Sequence, residues 1–512
     1  MSGFHSTLSR RQFMQALGFA GAGVSAAATV APQFHDLDEI MGSSSSQWKR
    51  PWWVKERPIE EPTTEVDWSK VQRFDARYSA HSPAEVVRFV GQAEYDRVRG
   101  LANTTQDILN SKPGSTLRDN ALNVGAGTGQ FMGGYTSNYV FPPAGTCCGS
   151  FSVYWTGVKG TATPESLGVP KWQGTPEENT QMIRAAMRFF GATDVSVGEI
   201  NSKTKNLISL YGQGGDVKYV NAWPPPDNYI KKIVFEDVDK GYTTDIKYVI
   251  PNKPLWGITY TVPMSKELFR TAPGSQLRSA ANISRYRLRA AIDTSTKAFL
   301  TALGFQGLEE PYPCLPSQAG AVLDGLAEMG RNSNVAISAD FGSVHGYFDV
   351  LADLNMAPTN PIDAGMFRFC HTCHKCADQC PANCIDQGSE PTWEFQPSMY
   401  KPNATVDYNA PGKRLFWNDP IACQMFGNSI AGGCGACHGT CTFNVNGASL
   451  IHDVVKSTLS TTSIFNSLLW RADESFGYGL SDGQDKEKFW EIGLPAYAFD
   501  TTVGSTVGGY KR

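Results

Sequence analysis

The sequence predicts an α+β fold in which a large region of mixed helices and strands precedes a small cysteine-rich domain. Two observations support this order. Helical and strand patterns mix over residues 166–360, and eight of the twelve cysteines form two spaced runs within 361–450. The chain has 512 residues, 41% of them hydrophobic, which provides for a large core and excludes wholesale disorder. Its net charge of −4 argues against a general nucleic-acid binder, because such a protein needs a basic excess.

Residues 1–31 predict an export signal of the twin-arginine type. Arg10 and Arg11 lie in the run SRRQFM, and an uncharged segment of small, weakly apolar residues follows over 16–31. The alternative is an ordinary helix that begins with two arginines. The segment is too short for a membrane span, which takes about 20 helical residues. We therefore expect a protein that is exported in the folded state.

Residues 32–165 predict an N-terminal region that wraps the surface, because they are polar and then rich in glycine, serine and threonine. From residue 166 the local signals are clearer. The run TPEE at 175–178 is a capping box with proline at the first helical position, and Gly191 ends the predicted helix. Strands are predicted at 194–200, 233–235, 248–250 and 257–262, and a second helix at 294–303, ended by Gly304.

The first cysteine run has the spacing C-x2-C-x2-C-x3-C-P, which bacterial ferredoxins use to bind [4Fe–4S] clusters. Three thiolates on a tight loop then bind one cluster, and the fourth cysteine binds the other. The second run has ten residues in its first gap instead of two, and no proline follows it. The two runs are Cys370, Cys373, Cys376 and Cys380, and Cys423, Cys434, Cys437 and Cys441.

Crossed ligation between the two runs predicts two [4Fe–4S] clusters. Zinc is a weaker alternative because it prefers two C-x2-C pairs, and disulfides are typical of short secreted chains. Cys384 lies outside the spacing and could compete with Cys380. Three histidines within the two runs are expected to be loop residues that donate to a sulfur or face solvent, with iron ligation as the alternative: His371, His374 and His438. Three cysteines without a motif are expected to be buried thiols: Cys147, Cys148 and Cys314. The first cluster is then bound by Cys370, Cys373, Cys376 and Cys441, and the second cluster by Cys380, Cys423, Cys434 and Cys437.

The chain resembles the respiratory reductive dehalogenases, most of all those that act on small chlorinated alkenes and alkanes. The resemblance covers most of the chain and is more specific than the double-ferredoxin spacing alone, which many electron carriers share. It is carried by SRRQFM, KWQGTPEEN at 171–179, FFGA at 189–192, APT at 357–359, PIDAG at 361–365, NGASLIH at 446–452 and VVKST at 454–458.

The resemblance implies a nitroreductase-like corrinoid-binding domain over 166–360, a ferredoxin-like domain with two [4Fe–4S] clusters over 361–450 and a C-terminal extension over 451–512. It also implies a base-off cobamide, for which the sequence shows no motif, and a small organohalide substrate such as a chlorinated ethene, ethane or methane. The implied partners are a small integral-membrane anchor protein and an external electron donor. The implied location is peripheral, at the outer face of the cytoplasmic membrane.

The resemblance further implies that a tyrosine donates the proton, ahead of a short helix and a Leu-Gly-aromatic turn. Counting back from Gly304, the matching residue is Tyr286, the expected catalytic residue beside the corrinoid. A phenol with a pKa near 10 stays protonated and can donate, and Arg285 or Arg287 can stabilise the phenolate. The family commonly has an assisting arginine where this chain has Asp349. That role is therefore open to Arg285, Arg287, Arg331 or His345.

Two other functions fit part of the pattern. An enzyme of the epoxyqueuosine reductase type shares the cofactors, but it acts on transfer RNA, and the export signal and the lack of basic excess count against it. A non-catalytic iron–sulfur electron carrier would not need the long α/β region ahead of the cysteines.

Overall fold

A computed structural model describes residues 50, 53–76, 79–80, 83–128, 152–154, 157–211, 231–308, 315–400, 408–444, 456–458, 460 and 479–491. The predicted export signal, three of the cysteines without a motif (147, 148 and 314) and the NGASLIH run lie outside the described residues. Within these ranges, no helix is both long enough and apolar enough to cross a bilayer.

The described helices and strands follow the predicted α+β order, with strands in the middle of the chain and short helices around the cysteines. The helices are α1 Pro83–Val90, α2 Gln92–Arg99, α3 Thr104–Leu109, α4 Leu117–Thr128, α5 Pro164–Leu167, α6 Pro176–Phe189, α7 Lys266–Phe269, α8 Gln276–Leu303, α9 Ser317–Leu323, α10 Met366–Cys370, α11 Lys375–Asp378, α12 Pro420–Asn428 and α13 Ala436–Gly439. The strands are β1 Lys55–Glu56, β2 Ser152–Tyr154, β3 Gly157–Lys159, β4 Asp194–Glu199, β5 Lys232–Glu236, β6 Tyr242–Thr243, β7 Lys247–Pro251, β8 Trp256–Pro263, β9 Gly307–Leu308, β10 His345–Ala352 and β11 Ile362–Asp363.

A four-stranded antiparallel sheet in the order β4-β8-β10-β9 forms the centre of the α/β region. Helices α6 and α8 pack on one face and α9 on the other, so β8 is buried along its whole length. Tyr260 and Phe348 are paired across β8 and β10 and face α8, as the core contacts show. On the opposite face α9 comes so close that a Cβ at Gly320 would lie 2.1 Å from Thr259 Oγ1. Because side chains alternate along a strand, the register decides which residues of β10 can reach α8.

The capping box, the helix ends at glycine and the four strands predicted from the sequence are present in the structure. The Thr175 side chain accepts from the Glu178 amide, the Glu178 side chain accepts from the Thr175 amide, and α6 ends two residues before Gly191, whose φ is 114°. The predicted strands correspond to β4, β5, β7 and β8. Gly304 ends α8 in the left-handed conformation, with φ 91°, which glycine adopts without steric cost.

The predicted start of the second helix, at residue 294, is wrong. Helix α8 begins at Gln276, with the Ser275 side chain capping the Arg278 amide, and runs for 28 residues. Its first two thirds contain several arginines, which interrupt the apolar periodicity of a surface helix. Tyr286 consequently lies inside this long helix and not ahead of a short one.

The N-terminal region contacts both the α/β region and the cysteine-rich part of the chain, defined here as residues 366–444. Strand β1 pairs with β11, Val66 forms a bridge with Lys413, and α4 packs along α8. Helices α1 and α2 pack against α12. The domain boundaries at 165, 360 and 450 stay a prediction.

Candidate active site and cysteine centre

Tyr286 lies on the face of α8 that packs against the sheet. Its ring centroid is 5.9 Å from that of Phe348 on β10, and its hydroxyl accepts a hydrogen bond of 2.8 Å from Arg285 Nη2. The positive charge of Arg285 lowers the pKa of Tyr286 although burial acts to raise it, and the hydrogen bond and the charges of Arg289 and Arg278 add to the lowering. The arrangement makes Tyr286 a stronger acid than an ordinary phenol and stabilises its anion.

A buried polar network fixes α8 one and two turns beyond Tyr286. Arg289 Nε donates to Asp293 Oδ2 at 2.9 Å, and the Tyr260 hydroxyl donates to Asp293 Oδ1 at 2.5 Å. The Arg289 guanidinium also lies 5.0 Å from the centroid of the Phe348 ring, which contacts Tyr286 as well. Because all three polar side chains are at most 5% exposed, this network holds α8 in register with the sheet.

The described cysteines are nine free thiols, and they lie in the cysteine-rich part, within short helices and in the segments between them. Burial raises the pKa of Cys376, and the neighbouring thiols that raise it further are those of Cys370, Cys373 and Cys441 in its own group and Cys437 in the other. Burial likewise raises the pKa of Cys437, whose further neighbours are Cys423, Cys434 and Cys380. The electrostatic neighbours therefore divide mainly into the two groups that crossed ligation predicts.

Cys384 lies between two members of the second group. Its Sγ is 3.4 Å from that of Cys380, and its amide donates to Cys380 Sγ at 3.5 Å. Interactions with Cys380 and Cys423 raise the pKa of Cys384, whereas hydrogen bonds from Cys384 lower the pKa of Cys380 to about 6. The competition of Cys384 with Cys380, which the sequence leaves open, is therefore compatible with the positions of the two sulfurs.

The donor set fits iron–sulfur clusters. Each thiol must lose its proton to bind iron, and the positive charge of the metal then stabilises the thiolate that burial disfavours. Among the Cys, His, Asp and Glu side chains of the described ranges, no three are gathered tightly enough to hold a single metal ion. A [4Fe–4S] cluster instead takes one thiolate at each of four iron corners.

The three histidines of the cysteine-rich part differ in their surroundings. His371 Nδ1 lies 3.4 Å from Glu390 Oε1 near the surface. The carbonyl of His374 accepts from two amides of α11. The ring of His438 stacks on Phe269 at a centroid distance of 5.8 Å, and burial lowers its pKa to about 3. His371 is thus a surface residue and His438 a buried neutral ring.

A family model described as reductive dehalogenase subunit matches residues 49–356. The match covers more than half of the chain, including the whole central sheet. The chain belongs to the reductive dehalogenase family. The match includes the α/β region that an iron–sulfur carrier would lack, so the predicted family is confirmed over both alternatives.

Curated relatives support the assignment of this dehalogenase over nearly its full length. It is 33% identical to the chloroethene reductive dehalogenase of Dehalococcoides mccartyi strain VS, covering 98% of this chain and 99% of that one. It is 27% identical to the trichloroethene reductive dehalogenase of Dehalococcoides mccartyi strain 195, covering 95% and 97%. The tetrachloroethene reductive dehalogenase of Sulfurospirillum multivorans is 28% identical over 64% of this chain and 61% of its own.

Solved structures show the same fold at low sequence identity. The catabolic reductive dehalogenase NpRdhA superposes with a TM-score of 0.54 and 16% identity over 87% of this chain and 52% of its own. Its complex with 3-bromo-4-hydroxybenzoic acid gives a TM-score of 0.53 and covers 83% and 49%. The dehalogenase described here thus spans about half the length of those structures, and at this identity the likeness concerns the fold.

The structure narrows the choice of the residue that assists Tyr286. Asp349, at the expected arginine position, follows Phe348 on β10 and therefore faces α9, where Ser317 Oγ donates to it at 2.5 Å. Arg331 donates from Nε to the carbonyls of Cys370 and Cys373. It therefore belongs to the first cysteine loop of the dehalogenase, defined here as residues 370–376. Of the four candidates, Arg285 is the one that the structure places in hydrogen-bond contact with Tyr286.

His345 is buried and lies on β10, with its Nε2 3.0 Å from the Ala336 carbonyl. Burial lowers the pKa of His345 to about 4, so the ring is neutral at ordinary pH. Tyr347, two residues further along the strand, accepts from the Ala336 amide, and burial raises its pKa to about 12. Tyr347 is therefore a weaker acid than Tyr286, because burial dominates at Tyr347 whereas the charge of Arg285 dominates at Tyr286.

An apolar cavity of about 390 Å³ lies between the N-terminal region, residues 206–209, helix α9 with the segment that follows it, and residues 392–420. Aromatic side chains form much of its wall: Trp68, Phe74, Phe395, Tyr408, Phe416 and Trp417. Asn334, which also lines it, donates to Cys423 Sγ at 3.6 Å. Tyr286 is not part of this wall, so the cavity adjoins the cysteine centre of the dehalogenase and not the tyrosine.

Proposed function

We propose that this dehalogenase replaces a halogen of a small organohalide by hydrogen, with a chlorinated ethene as the first candidate substrate. The net reaction R–Cl + 2e⁻ + 2H⁺ → R–H + HCl consumes two electrons and protonates the carbon that loses chloride. The observation that carries the proposal is the 33% identity to a chloroethene reductive dehalogenase over nearly the full length of both chains. Chlorinated ethanes and methanes are the next substrates to test.

Two [4Fe–4S] clusters deliver the electrons in this proposal. Cys370, Cys373, Cys376 and Cys441 bind the first cluster, and Cys380, Cys423, Cys434 and Cys437 bind the second cluster. Support comes from the ferredoxin spacing and from the division of the buried free thiols into two groups of neighbours. An external electron donor reduces the clusters one electron at a time.

A base-off cobamide beside Tyr286 completes the proposed site, and when bound it supplies a reduced cobalt at which the carbon–halogen bond is broken. The chain contributes Tyr286 as the residue that contacts cofactor and substrate. Arg285 Nε is shielded from solvent and has no hydrogen-bond partner among the described residues, so the site keeps a buried donor for a bound group. The tyrosine and this donor fit a cofactor that has polar groups at its edge.

Tyr286 is the proposed proton donor. Its hydroxyl accepts from Arg285 through an oxygen lone pair, so this hydrogen bond does not use the phenol proton. When the proton leaves, the adjacent guanidinium stabilises the phenolate, which lowers the barrier to donation. Phe348 and the Arg289–Asp293 pair restrict the movement of this part of α8.

The location and partners are also part of the proposal. The SRRQFM run supports twin-arginine export, and the family relationship supports a peripheral place at the outer face of the cytoplasmic membrane. A small integral-membrane protein would then anchor the enzyme there.

Anaerobic reconstitution with iron, sulfide and a cobamide, followed by a reduced-viologen assay, tests the proposed function. The substrate panel consists of chlorinated ethenes, ethanes and methanes, and chloride release is measured beside iron and cobalt content. We expect about eight irons and one cobalt per chain and chloride release from at least one ethene. A protein with both cofactors confirmed that released no chloride from any compound would contradict the proposal.

A further inference from the structure

The start of helix α8 is built against the second cysteine loop, defined here as residues 432–437. The Gly274 amide donates to the Gly433 carbonyl at 2.9 Å. At Gly432 the φ is 79°, and a Cβ there would lie 2.4 Å from the Ser275 carbonyl oxygen. Only glycine allows this approach, so the loop and the helix start form one packed unit.

Arg278, in the first turn of α8, extends its guanidinium into this loop. Nη1 donates to the Gly432 carbonyl at 3.4 Å, and the group lies 5.2 Å from the centroid of the Phe269 ring. A Cβ at Gly435 would lie 2.3 Å from Arg278 Nε. The thiols with which the Arg278 charge interacts are those of Cys434, Cys437 and Cys423, three of the four proposed ligands of the second cluster.

One donor of Arg278 is left over by the described part of the chain. Its Nε is shielded from solvent and has no hydrogen-bond partner among the residues that the structure describes. Buried N–H groups are nearly always paired, so an unpaired one next to three thiols points to an acceptor that is bound there. The thiolate and sulfide sulfurs of an anionic cluster are such acceptors.

We propose that Arg278 is a positioning residue for electron transfer, which donates its Nε–H to a sulfur of the second cluster and makes that cluster easier to reduce than the first. This inference rests on the two proposed clusters. Hydrogen bonds to sulfur and nearby positive charge stabilise the reduced, more negative state of a cluster and so raise its reduction potential. The N-terminus of the 28-residue helix α8 adds positive potential on the same side.

Arg331, the buried arginine beside Cys370 and Cys373, has no unpaired N–H of this kind among the described residues. Arg331 uses Nε for the Cys370 and Cys373 carbonyls, Nη1 for the carbonyls of residues 386 and 388 and Nη2 for the Cys370 carbonyl. These carbonyl oxygens offset its charge and engage all three of its nitrogens. Arg331 therefore stabilises the conformation of the first cysteine loop, whereas the Nε–H of Arg278 can donate to a sulfur of the second cluster.

The difference between Arg278 and Arg331 favours electron transfer in one direction. Tyr286 lies eight residues after Arg278 on the same helix, about 12 Å along its axis at 1.5 Å per residue. The cluster beside Arg278 is thus the one next to the proposed reaction site. A higher potential there favours the passage of electrons from the first cluster to the second cluster and so toward Tyr286.

The test is a potentiometric titration of the reconstituted holoenzyme, followed by electron paramagnetic resonance of the reduced clusters. The variants are Arg278→Gln, Arg278→Lys and, as a matched control, Arg287→Gln. Arg287 has the same charge on the same helix, and nine residues at 100° each place it on the opposite side. Iron and sulfide contents of the wild type test the clusters separately from this inference.

We expect Arg278→Gln to lower the reduced-to-oxidised ratio of one cluster about tenfold at a fixed potential, a shift of ~59 mV for a one-electron couple. The other cluster should not shift, and Arg278→Lys should fall between Gln and wild type because it keeps the charge. Arg287→Gln should leave both potentials unchanged. Two results would overturn the role of Arg278 in setting the reduction potential of the second cluster. One is an Arg278→Gln protein that holds both clusters at wild-type potentials, and the other is loss of the second cluster in both Arg278 variants. A wild type without two clusters would instead refute the proposed function on which the inference rests.

Discussion

Arg285 Nη2 donates a hydrogen bond of 2.8 Å to the hydroxyl of Tyr286, its neighbour on α8. Adjacent residues on a helix point about 100° apart, so the long arginine side chain must turn back over the ring. Its guanidinium carbon lies 4.7 Å from the centroid of the Tyr286 ring. The pair acts as one acid, because the cation that lowers the phenol pKa also stabilises the phenolate.

Arg285→Gln should therefore change the pH dependence as well as the rate. Activity requires the protonated phenol and is lost as the pH rises through the Tyr286 pKa. Without Arg285 that pKa rises, so the alkaline limb should move to higher pH while the rate at neutral pH falls about tenfold or more. The measurement is a pH–rate profile of the cobalt-loaded enzyme, with Arg287→Gln as the control. If the alkaline limb of Arg285→Gln stayed at the wild-type pH, Arg285 would not set the pKa of the catalytic acid.

Tyr286→Phe removes the proton donor and leaves the ring that packs on Phe348. We expect dehalogenation to fall by about 10²–10⁴-fold, the usual contribution of general acid catalysis. Iron and cobalt contents should match the wild type, and Tyr347→Phe should retain more activity because burial raises the pKa of Tyr347 to about 12. Full activity in a cofactor-loaded Tyr286→Phe protein would remove the tyrosine from the mechanism.

Much of the α/β region follows from local signals in the sequence. Three of these signals act over only a few residues, so they can be recognised without knowledge of tertiary contacts. They are the capping box at Thr175, the apolar run that forms β8 and the glycine at 304. The start of α8 is different. Arginines 278, 285 and 289 resemble solvent-facing residues in the sequence, whereas in the fold they contact the cysteine loop, Tyr286 and Asp293.

Other features of the site depend on contacts between distant segments. The side of β10 on which Asp349 lies is decided by its pairing with Thr259 on β8, and that register cannot be read from either strand alone. Arg278 meets Gly432 across 154 residues of chain. Spacing rules describe ligands within one loop, so they could not reveal that Cys384 also interacts with Cys423, 39 residues further along the chain.

Asp293→Ala should destabilise the fold more than a typical substitution. It removes the acceptor of Arg289 Nε and of the Tyr260 hydroxyl in a core where the ion pair is almost fully buried. Breaking a buried pair by removing one partner costs about 3–5 kcal/mol, which denaturant unfolding can measure. The double variant Arg289→Met/Asp293→Leu should lose less, because no buried charge is left. Equal losses in the two proteins would show that packing, and not charge, dominates there.

Cys380 and Cys384 compete for one corner of the second cluster, and their separate replacement decides between them. The spacing and the lowered pKa of Cys380, about 6, favour it as the thiolate, with Cys384 as the hydrogen-bond donor that lowers it. We expect Cys384→Ser, which keeps a donor, to retain about eight irons, and Cys380→Ser to lose up to half of them. Iron analysis and electron paramagnetic resonance measure both. Retention by Cys380→Ser with loss by Cys384→Ser would assign the corner to Cys384, four residues beyond the ferredoxin position.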